Sequence, residues 1–195
     1  PETKPSAPVK LDLQNVALRD ATVRMTKNLK GGGKEVTELS GVNLTAGNLK
    51  NGATGKLSLD AKVQLNRPAA APAAGNDQLG ASLKSAFTIA LDAGLNPTSV
   101  QGDANFTVGQ ALGGFKDLAA LTGSLVCDLS PTEIKQCALT FSQSGKSLGS
   151  ITASGPLDLA KREGKVKVDV SSIDRQVLNL AGAAMGMDFN STVLN

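Results

Sequence analysis

Apolar and polar residues alternate with a period of two along most of the chain. In residues 56–65 every second residue is Leu, Ala or Val, and Lys, Ser, Asp and Gln fill the positions between them. The same alternation returns in residues 79–91, 100–108, 125–129, 137–141 and 166–170. A period of two is typical of a β-strand with one face against apolar matter and the other in water. The pattern therefore predicts a sheet with one aliphatic face and one wet face.

Short segments rich in Gly, Asn, Pro or Ser separate the alternating runs. They are residues 30–34, 47–48, 50–52, 94–97, 130–133, 143–146 and 162–165. Parallel strands need crossover connections of a dozen residues or more, and most of these spacings are too short for that. The chain is therefore predicted to be mainly β, an antiparallel sheet of about ten strands.

Helical patterns are scarce. Asp174 can act as an N-cap, and Val177, Leu180 and Ala184 then fall near one helical face. This pattern predicts a short helix near the C-terminus, in residues 174–187. Residues 109–121 are also compatible with a short turn, although Gly113 and Gly114 weaken it.

Two Pro-rich segments indicate the domain organisation. Residues 1–8 are expected to be a linker, and residues 9–195 a single β-rich domain. Residues 67–76 contain Pro and Ala but no large apolar residue, so they are expected to be a flexible loop between two strands. The alternative is a domain boundary near Gly75.

The composition excludes several kinds of chemistry. The 195 residues include no His, which removes His-based catalytic triads, HExxH zinc sites and imidazole general bases. Two Cys residues cannot by themselves form a four-ligand zinc site. The net charge of +3 comes without a basic tract, and Trp and Tyr are absent as stacking platforms for bases. We therefore expect a non-enzymatic protein with no cofactor, metal or nucleic-acid partner.

The chain also lacks the sequence marks of membrane insertion. No stretch approaches the roughly 18 continuous apolar residues of a transmembrane helix. Residues 1–8 contain no apolar segment of the kind that a signal peptide has. A chain that begins at Pro1 is expected to be a fragment of a longer protein, with any anchor or signal upstream.

Several motifs occur in a defined order. The sequence LDLQNVALRDATVRM at residues 11–25 is interpreted as strand, turn, strand, and ELSGVNLT at residues 38–45 and GKLSLDA at residues 55–61 follow it. Later, LGSITASGPLDL at residues 148–159 precedes Ile173 and Asp174. From about Leu11 to Phe189, the order and spacing of these motifs resemble the AsmA-like family of bacterial envelope proteins. The Ala- and Pro-rich segment 67–76 departs from the family pattern.

The resemblance implies a fold, a location and a function. The AsmA-like fold is a long β-sheet curved like a taco, whose apolar concave face lines a groove. Such proteins are thought to act in outer-membrane biogenesis and lipid homeostasis by carrying phospholipid between the membranes. The chain is accordingly expected to be periplasmic, to bind phospholipid or another acyl lipid, and to be joined to the inner membrane by an anchor upstream. The resemblance names no protein partner.

The candidate lipid-binding side chains are the large apolar residues of three successive strands. Modest aliphatic side chains suit a wall along which acyl chains slide, and each methylene removed from water gains ~0.8 kcal/mol. The alternative is an ordinary closed core in a structural or interaction module, such as a sandwich or solenoid piece of a surface protein. The candidates are Leu57, Leu59, Val63, Leu65, Leu83, Phe87, Ile89, Leu91, Phe106 and Val108.

The two cysteines have the spacing of a cross-strand pair. If residues 130–133 form a turn, Cys127 and Cys137 lie at similar heights on neighbouring strands and both point to the apolar face. In an oxidising periplasm, a disulfide between them would stabilise the fold by roughly 2–3 kcal/mol. The alternative is a pair of buried free thiols that behave as small apolar groups.

Overall fold

The computed structural model describes residues 9–30, 32–68, 75–158, 161 and 163–173. These residues form ten strands and one short 3-10 helix, Gly113–Leu118. The strands are β1 (Asp12–Asn28), β2 (Lys34–Lys50), β3 (Thr54–Pro68), β4 (Asn76–Leu91), β5 (Pro97–Leu112), β6 (Leu121–Ser130), β7 (Glu133–Gln143), β8 (Lys146–Asp158), β9 (Glu163–Gly164) and β10 (Lys167–Ser171).

The strands form a single open sheet in which chain neighbours pair. From β1 to β8 each strand pairs antiparallel with the next, and both β9 and β10 pair with β8. The predicted curved antiparallel meander is confirmed. The short turn expected in residues 109–121 is the 3-10 helix. The helix predicted for residues 174–187 and the linker predicted for residues 1–8 lie outside the described residues.

The hairpin of β3 and β4 shows how far pairing extends. Its register runs from Thr54 opposite Ala90 to Pro68 opposite Asn76. β3 and β4 are therefore neighbours, as predicted for the strands on either side of residues 67–76. Arg67, Pro68 and Asn76, which were expected in the loop, belong to the β-ladder. Arg67 lies opposite Asp77, so a cross-strand ion pair continues the strands beyond the last apolar residue.

The first strand differs from its prediction. Residues 11–25 were expected to form strand, turn and strand, but β1 is one strand of 17 residues with a bulge. Asp20, with φ of 49°, marks the bulge, and its backbone N–H donates to the Asn43 side chain on β2. Asp and Asn adopt positive φ readily, in bulges as well as in turns. Asn48, expected in a turn, likewise lies within β2, with φ of 55°.

Cross-strand register places the alternating apolar residues on one side of the sheet, because directly paired residues share a face. We call this side the apolar face. On its five central strands it comprises Leu57, Leu59, Ala61, Val63 and Leu65 of β3; Leu79, Ala81, Leu83, Phe87 and Ile89 of β4; Val100, Ala104, Phe106, Val108 and Ala111 of β5; Leu121, Leu125, Cys127 and Leu129 of β6; and Ile134, Cys137, Leu139 and Phe141 of β7.

The best-packed part of the apolar face lies at one end of the sheet. There Val108 on β5, Leu121 on β6 and Leu148 on β8 belong to one buried cluster. Phe115 and Leu118 of the 3-10 helix pack against this cluster. Because β5 and β8 are three strands apart, the cluster also reflects the curvature of the sheet.

Gly123 on β6 is required by a close approach. A Cβ atom at Gly123 would overlap the ring of Phe106, which leans over the glycine from β5. Phe141 approaches from the other side, and the two rings meet edge to face with centroids 6.4 Å apart. Positions two strands apart on a flat sheet are separated by about 10 Å. The absence of a side chain at Gly123 therefore lets the two aromatic rings meet over β6 on the apolar face.

Candidate functional site

The predicted lipid-binding residues lie side by side on the apolar face. Leu57 pairs with Phe87 across β3 and β4, and Leu83 pairs with Phe106 across β4 and β5. Leu59, Val63 and Leu65 of β3 lie on the same face by strand register, as does Ile89 of β4, and Leu91 follows a register shift at the end of β4. The structure thus brings the predicted residues together as one apolar surface. Whether lipid binds there remains a prediction.

Most of these side chains are half-buried. Val108 is the exception, at 6% exposed. The other nine candidates keep part of their surface accessible, and among them only Phe106 packs against the buried cluster beneath the 3-10 helix. An aliphatic surface of this kind gains free energy when another apolar body removes it from water.

One end of the apolar face is closed by the 3-10 helix Gly113–Leu118, which we call the cap. The Asp77 carboxylate at the start of β4 accepts a hydrogen bond from the Gly114 backbone N–H, 2.7 Å away. It also accepts one from Arg67 Nε at 3.1 Å. The Arg67 guanidinium lies 4.7 Å from the centre of the Phe115 ring, within range of a cation–π contact. These contacts hold the cap over the end of the sheet.

Further hydrogen bonds tie the cap to β7. The Gln143 side-chain amide donates to the backbone carbonyls of Asp117 and Ala119, each at 2.8 Å. The cap therefore contacts the ends of several strands. Its last backbone carbonyls accept hydrogen bonds from a side chain, which a short helix cannot supply from its own backbone. Small motions of one strand would be resisted by contacts on the others.

The pKa of Asp77 lies below its ordinary value. The hydrogen bond from the Gly114 N–H is the main cause, and the hydrogen bond from Arg67 adds to it. A carboxylate with a lowered folded-state pKa adds stability above its unfolded pKa, and that stability disappears as the pH falls through the folded value. The cap is therefore held by its carboxylate at neutral pH and loses this contribution in acid.

The opposite end of the apolar face carries no cap in the described residues. Phe87 and Ile89 are half-buried there, with Val100 beside Ile89 on β5. Leu129 of β6 and Ile134 of β7 continue the apolar surface. The apolar face is thus asymmetric, closed at one end by protein side chains and accessible at the other.

The opposite side of the sheet is polar. Its side chains hydrogen-bond to one another, as in the hydroxyl contact of Thr122 with Ser142 at 2.6 Å and the bond from Gln101 to Asp128 at 3.1 Å. A depression of about 500 Å³ on this side is bordered by Lys56, Thr88 and Asp103, with Ala86 among its apolar neighbours. Among the described residues, no cluster of three or more His, Cys, Asp or Glu could hold a metal ion. The polar side has the character of a solvated surface.

The cysteines are direct cross-strand partners. Cys127 of β6 lies opposite Cys137 of β7, and both belong to the apolar face. The two Sγ atoms are unbonded and 3.1 Å apart. Burial, with a contribution from the neighbouring thiol, raises the pKa of Cys127 to about 12. A thiol with such a pKa is protonated at neutral pH and is a poor nucleophile, which favours a structural role.

We expect the chain isolated from an oxidising compartment to contain a Cys127–Cys137 disulfide. The opposed positions require little backbone movement to form the bond. Mass measurement after denaturation and alkylation without reductant should find no alkylated cysteine. Prior reduction, as the control, should give alkylation of both. Alkylation of both thiols without reductant would contradict the disulfide and weaken the case for a periplasmic location.

Sequence reasoning did not identify the contacts that hold the cap. The sequence pattern indicates no role for Arg67 or Asp77 in the cap, and it indicates only a weak turn at Gly114. One signal for Arg67 was present in the sequence. Arg67 lies two residues after Leu65 and four after Val63, so strand alternation places its side chain on the apolar face. The partner of Asp77 in the cap could not be found this way, since 37 residues separate Asp77 from Gly114.

Comparisons with known proteins yield no relative. No protein-family model, no curated protein and no solved structure matches the chain. The resemblance to the AsmA-like family therefore stays a prediction from sequence motifs. In the part of the chain that the structure describes, no helix has the length and hydropathy needed to cross a bilayer.

Proposed function

We propose that this chain binds the acyl chains of a phospholipid, or of another acyl lipid, along its apolar face. The observation that carries the proposal is an aliphatic surface that continues across neighbouring strands and stays half-buried, and so partly accessible, in the described residues. Leu, Val and Ile side chains offer acyl chains dispersion contacts without directional hydrogen bonds. The role is one of binding or conduction, without catalysis.

The cap suggests which part of the surface the lipid occupies. Leu121 and Val108 are already buried by protein side chains, whereas Phe87 and Ile89 keep part of their surface accessible. Acyl chains would therefore lie over the uncapped end and the middle of the apolar face. The headgroup would remain in water at the rim, because burying a phosphate without partners is costly.

The proposed setting is the bacterial periplasm, in outer-membrane biogenesis or lipid homeostasis, with an upstream segment anchoring the protein to the inner membrane. The sequence motifs that resemble the AsmA-like family support this setting. The second candidate is a structural or interaction module of the envelope, whose apolar face packs against another protein. A half-buried apolar face can bind either acyl lipid or another protein, so lipid binding is tested directly.

Fluorescence offers a clean test because the chain contains no Trp and no Tyr. A Leu59→Trp variant would place a single indole on the apolar face, and a Val126→Trp variant would place one at an exposed position on the polar side. The probe is a short-chain phosphatidylcholine with brominated acyl chains, kept below its critical micelle concentration. We expect bromine to quench Trp at position 59 strongly and Trp at position 126 very little.

Two outcomes would contradict the proposal. If neither indole is quenched, the apolar face does not bind acyl chains, and the interaction module is favoured. If both are quenched equally, the lipid adsorbs to the protein without regard to face. Circular dichroism of each variant should show an unchanged sheet, which ensures that quenching reports on a folded protein.

A further inference from the structure

The first strand of the sheet has a free edge in the described residues. β1 extends over 17 residues and pairs with β2 on one side only. Its apolar-face side chains are unusually accessible, with Val23 at 61% and Met25 at 66% exposed. An edge of this length presents a row of unpaired N–H and C=O groups, which is a template for another strand.

The bulge in β1 restricts how another strand can be added. Before the bulge the apolar-face residues are Val16 and Leu18, and after it they are Ala21, Val23 and Met25. The series therefore changes from even to odd numbers across the bulge. A regular partner strand would have to place one residue opposite two at the bulge, which leaves the extra residue unpaired.

A second copy of β1 removes this conflict. If two copies pair antiparallel about a two-fold axis and their bulges lie opposite each other, Arg19 of one faces Asp20 of the other. In this register Val16 faces Val23, so apolar side chains meet on the apolar face on both sides of the bulge. Any other shift places each bulge against regular ladder and leaves the extra residue unpaired.

The charges of β1 agree with the same register. Asp12 would face Lys27 of the second copy, and Arg19 would face Asp20, and the two-fold axis repeats each pair. Arg24 would face an uncharged Asn, so no like charges meet. Opposite charges in directly opposed positions favour pairing, and like charges oppose it. Charged side chains on an edge strand usually discourage association, but in this register the charges of the two β1 copies complement each other.

We propose that β1 is the interface of a symmetric dimer in which two sheets join edge to edge through this register. The other edge of the sheet is a poorer candidate, because β10 has five residues. Pairing β10 of one copy with β1 of the next would also give an open chain of subunits and not a closed dimer. The proposal depends on the edge of β1 and is independent of lipid binding.

Engineered cysteines test the register. In a Cys127→Ala, Cys137→Ala background, the double variant Val16→Cys, Val23→Cys places two cysteine pairs directly opposite each other across the interface. Opposed positions in an antiparallel pair lie within the Cα separation that a disulfide spans. The matched control is Leu18→Cys, Met25→Cys, whose thiols lie on the same strand and face but out of reach. Mild oxidation with copper-phenanthroline in air should convert the first variant to covalent dimer and leave the second monomeric.

Sedimentation velocity of the unmodified chain over a wide concentration range supplies the second measurement. We expect a concentration-dependent change from monomer to dimer that stops at the dimer. Equal cross-linking of both cysteine variants would overturn the register, and association beyond the dimer would favour head-to-tail pairing. A monomer at every concentration would overturn the dimer. In that case, slow hydrogen exchange of the β1 amides that point away from β2 would identify another segment of the same chain as the cover of this edge.

Discussion

Replacing Leu121 with alanine is expected to lower the free energy of unfolding by about 2–5 kcal/mol, the range typical of buried Leu-to-Ala changes. Leu121 is 2% exposed and packs with Val108, Ala111 and Leu148 beneath the cap. The loss is a large fraction of the roughly 5–15 kcal/mol by which domains are stable. The effect is large here because Leu121 is the most buried of these apolar residues, and its cluster holds half of the buried apolar side chains among the described residues.

Val126→Ala is the matched control for Leu121→Ala. Val126 lies on the same strand but is 42% exposed on the polar side of the sheet. Its replacement should cost under about 1 kcal/mol, the span of strand propensities. Urea denaturation followed by circular dichroism measures both variants. Equal costs would show that the capped end is not the main source of stability.

Replacing Ile89 with aspartate is expected to weaken lipid binding strongly and to leave the sheet folded. Ile89 is half-buried at the uncapped end of the apolar face, with Gly55 and Val100 beside it on the neighbouring strands. A carboxylate there can stay in water while the face is empty, but bound acyl chains would bury it without a partner. We expect the affinity for the short-chain phospholipid to fall at least about tenfold, which corresponds to about 1.4 kcal/mol.

Thr88→Asp provides the control for this second variant. Thr88 is the chain neighbour of Ile89, and its side chain lies on the polar side. The same charge at position 88 should leave lipid binding unchanged, as measured by titration of a single-Trp reporter at position 59. If Ile89→Asp unfolds the protein, the apolar face behaves as a closed core and the interaction module gains support. If both variants lose lipid equally, net charge and not the apolar face governs binding.

The cap illustrates a limit of sequence patterns. Strand alternation places Arg67 on the same face as Leu65. No residue near Asp77 in the sequence indicates that its carboxylate accepts a hydrogen bond from Gly114. That contact depends on the register of β3 with β4 and on the turn that follows β5. A carboxylate partner so distant in sequence is decided by the path of the chain and not by local propensity.

The bulge in β1 illustrates a different limit. Arg19 and Asp20 interrupt the apolar series as a turn would, and Asp20 has the positive φ that a turn would require. A turn and a bulge use the same residue types, because both need left-handed backbone conformations. The difference lies in Asn43 of β2, whose side chain accepts the hydrogen bond from Asp20 and keeps the strand paired on either side.

The sequence by itself determined the antiparallel sheet and the membership of its apolar face. Both follow from local rules, since side chains alternate along a strand and short connections force neighbouring strands to pair antiparallel. The tertiary structure alone decided which end of the face is closed, where Phe106 and Phe141 meet over Gly123, and which strand has a free edge. These features depend on register and curvature, which arise from contacts between residues far apart in the chain and leave no periodic signal in the sequence.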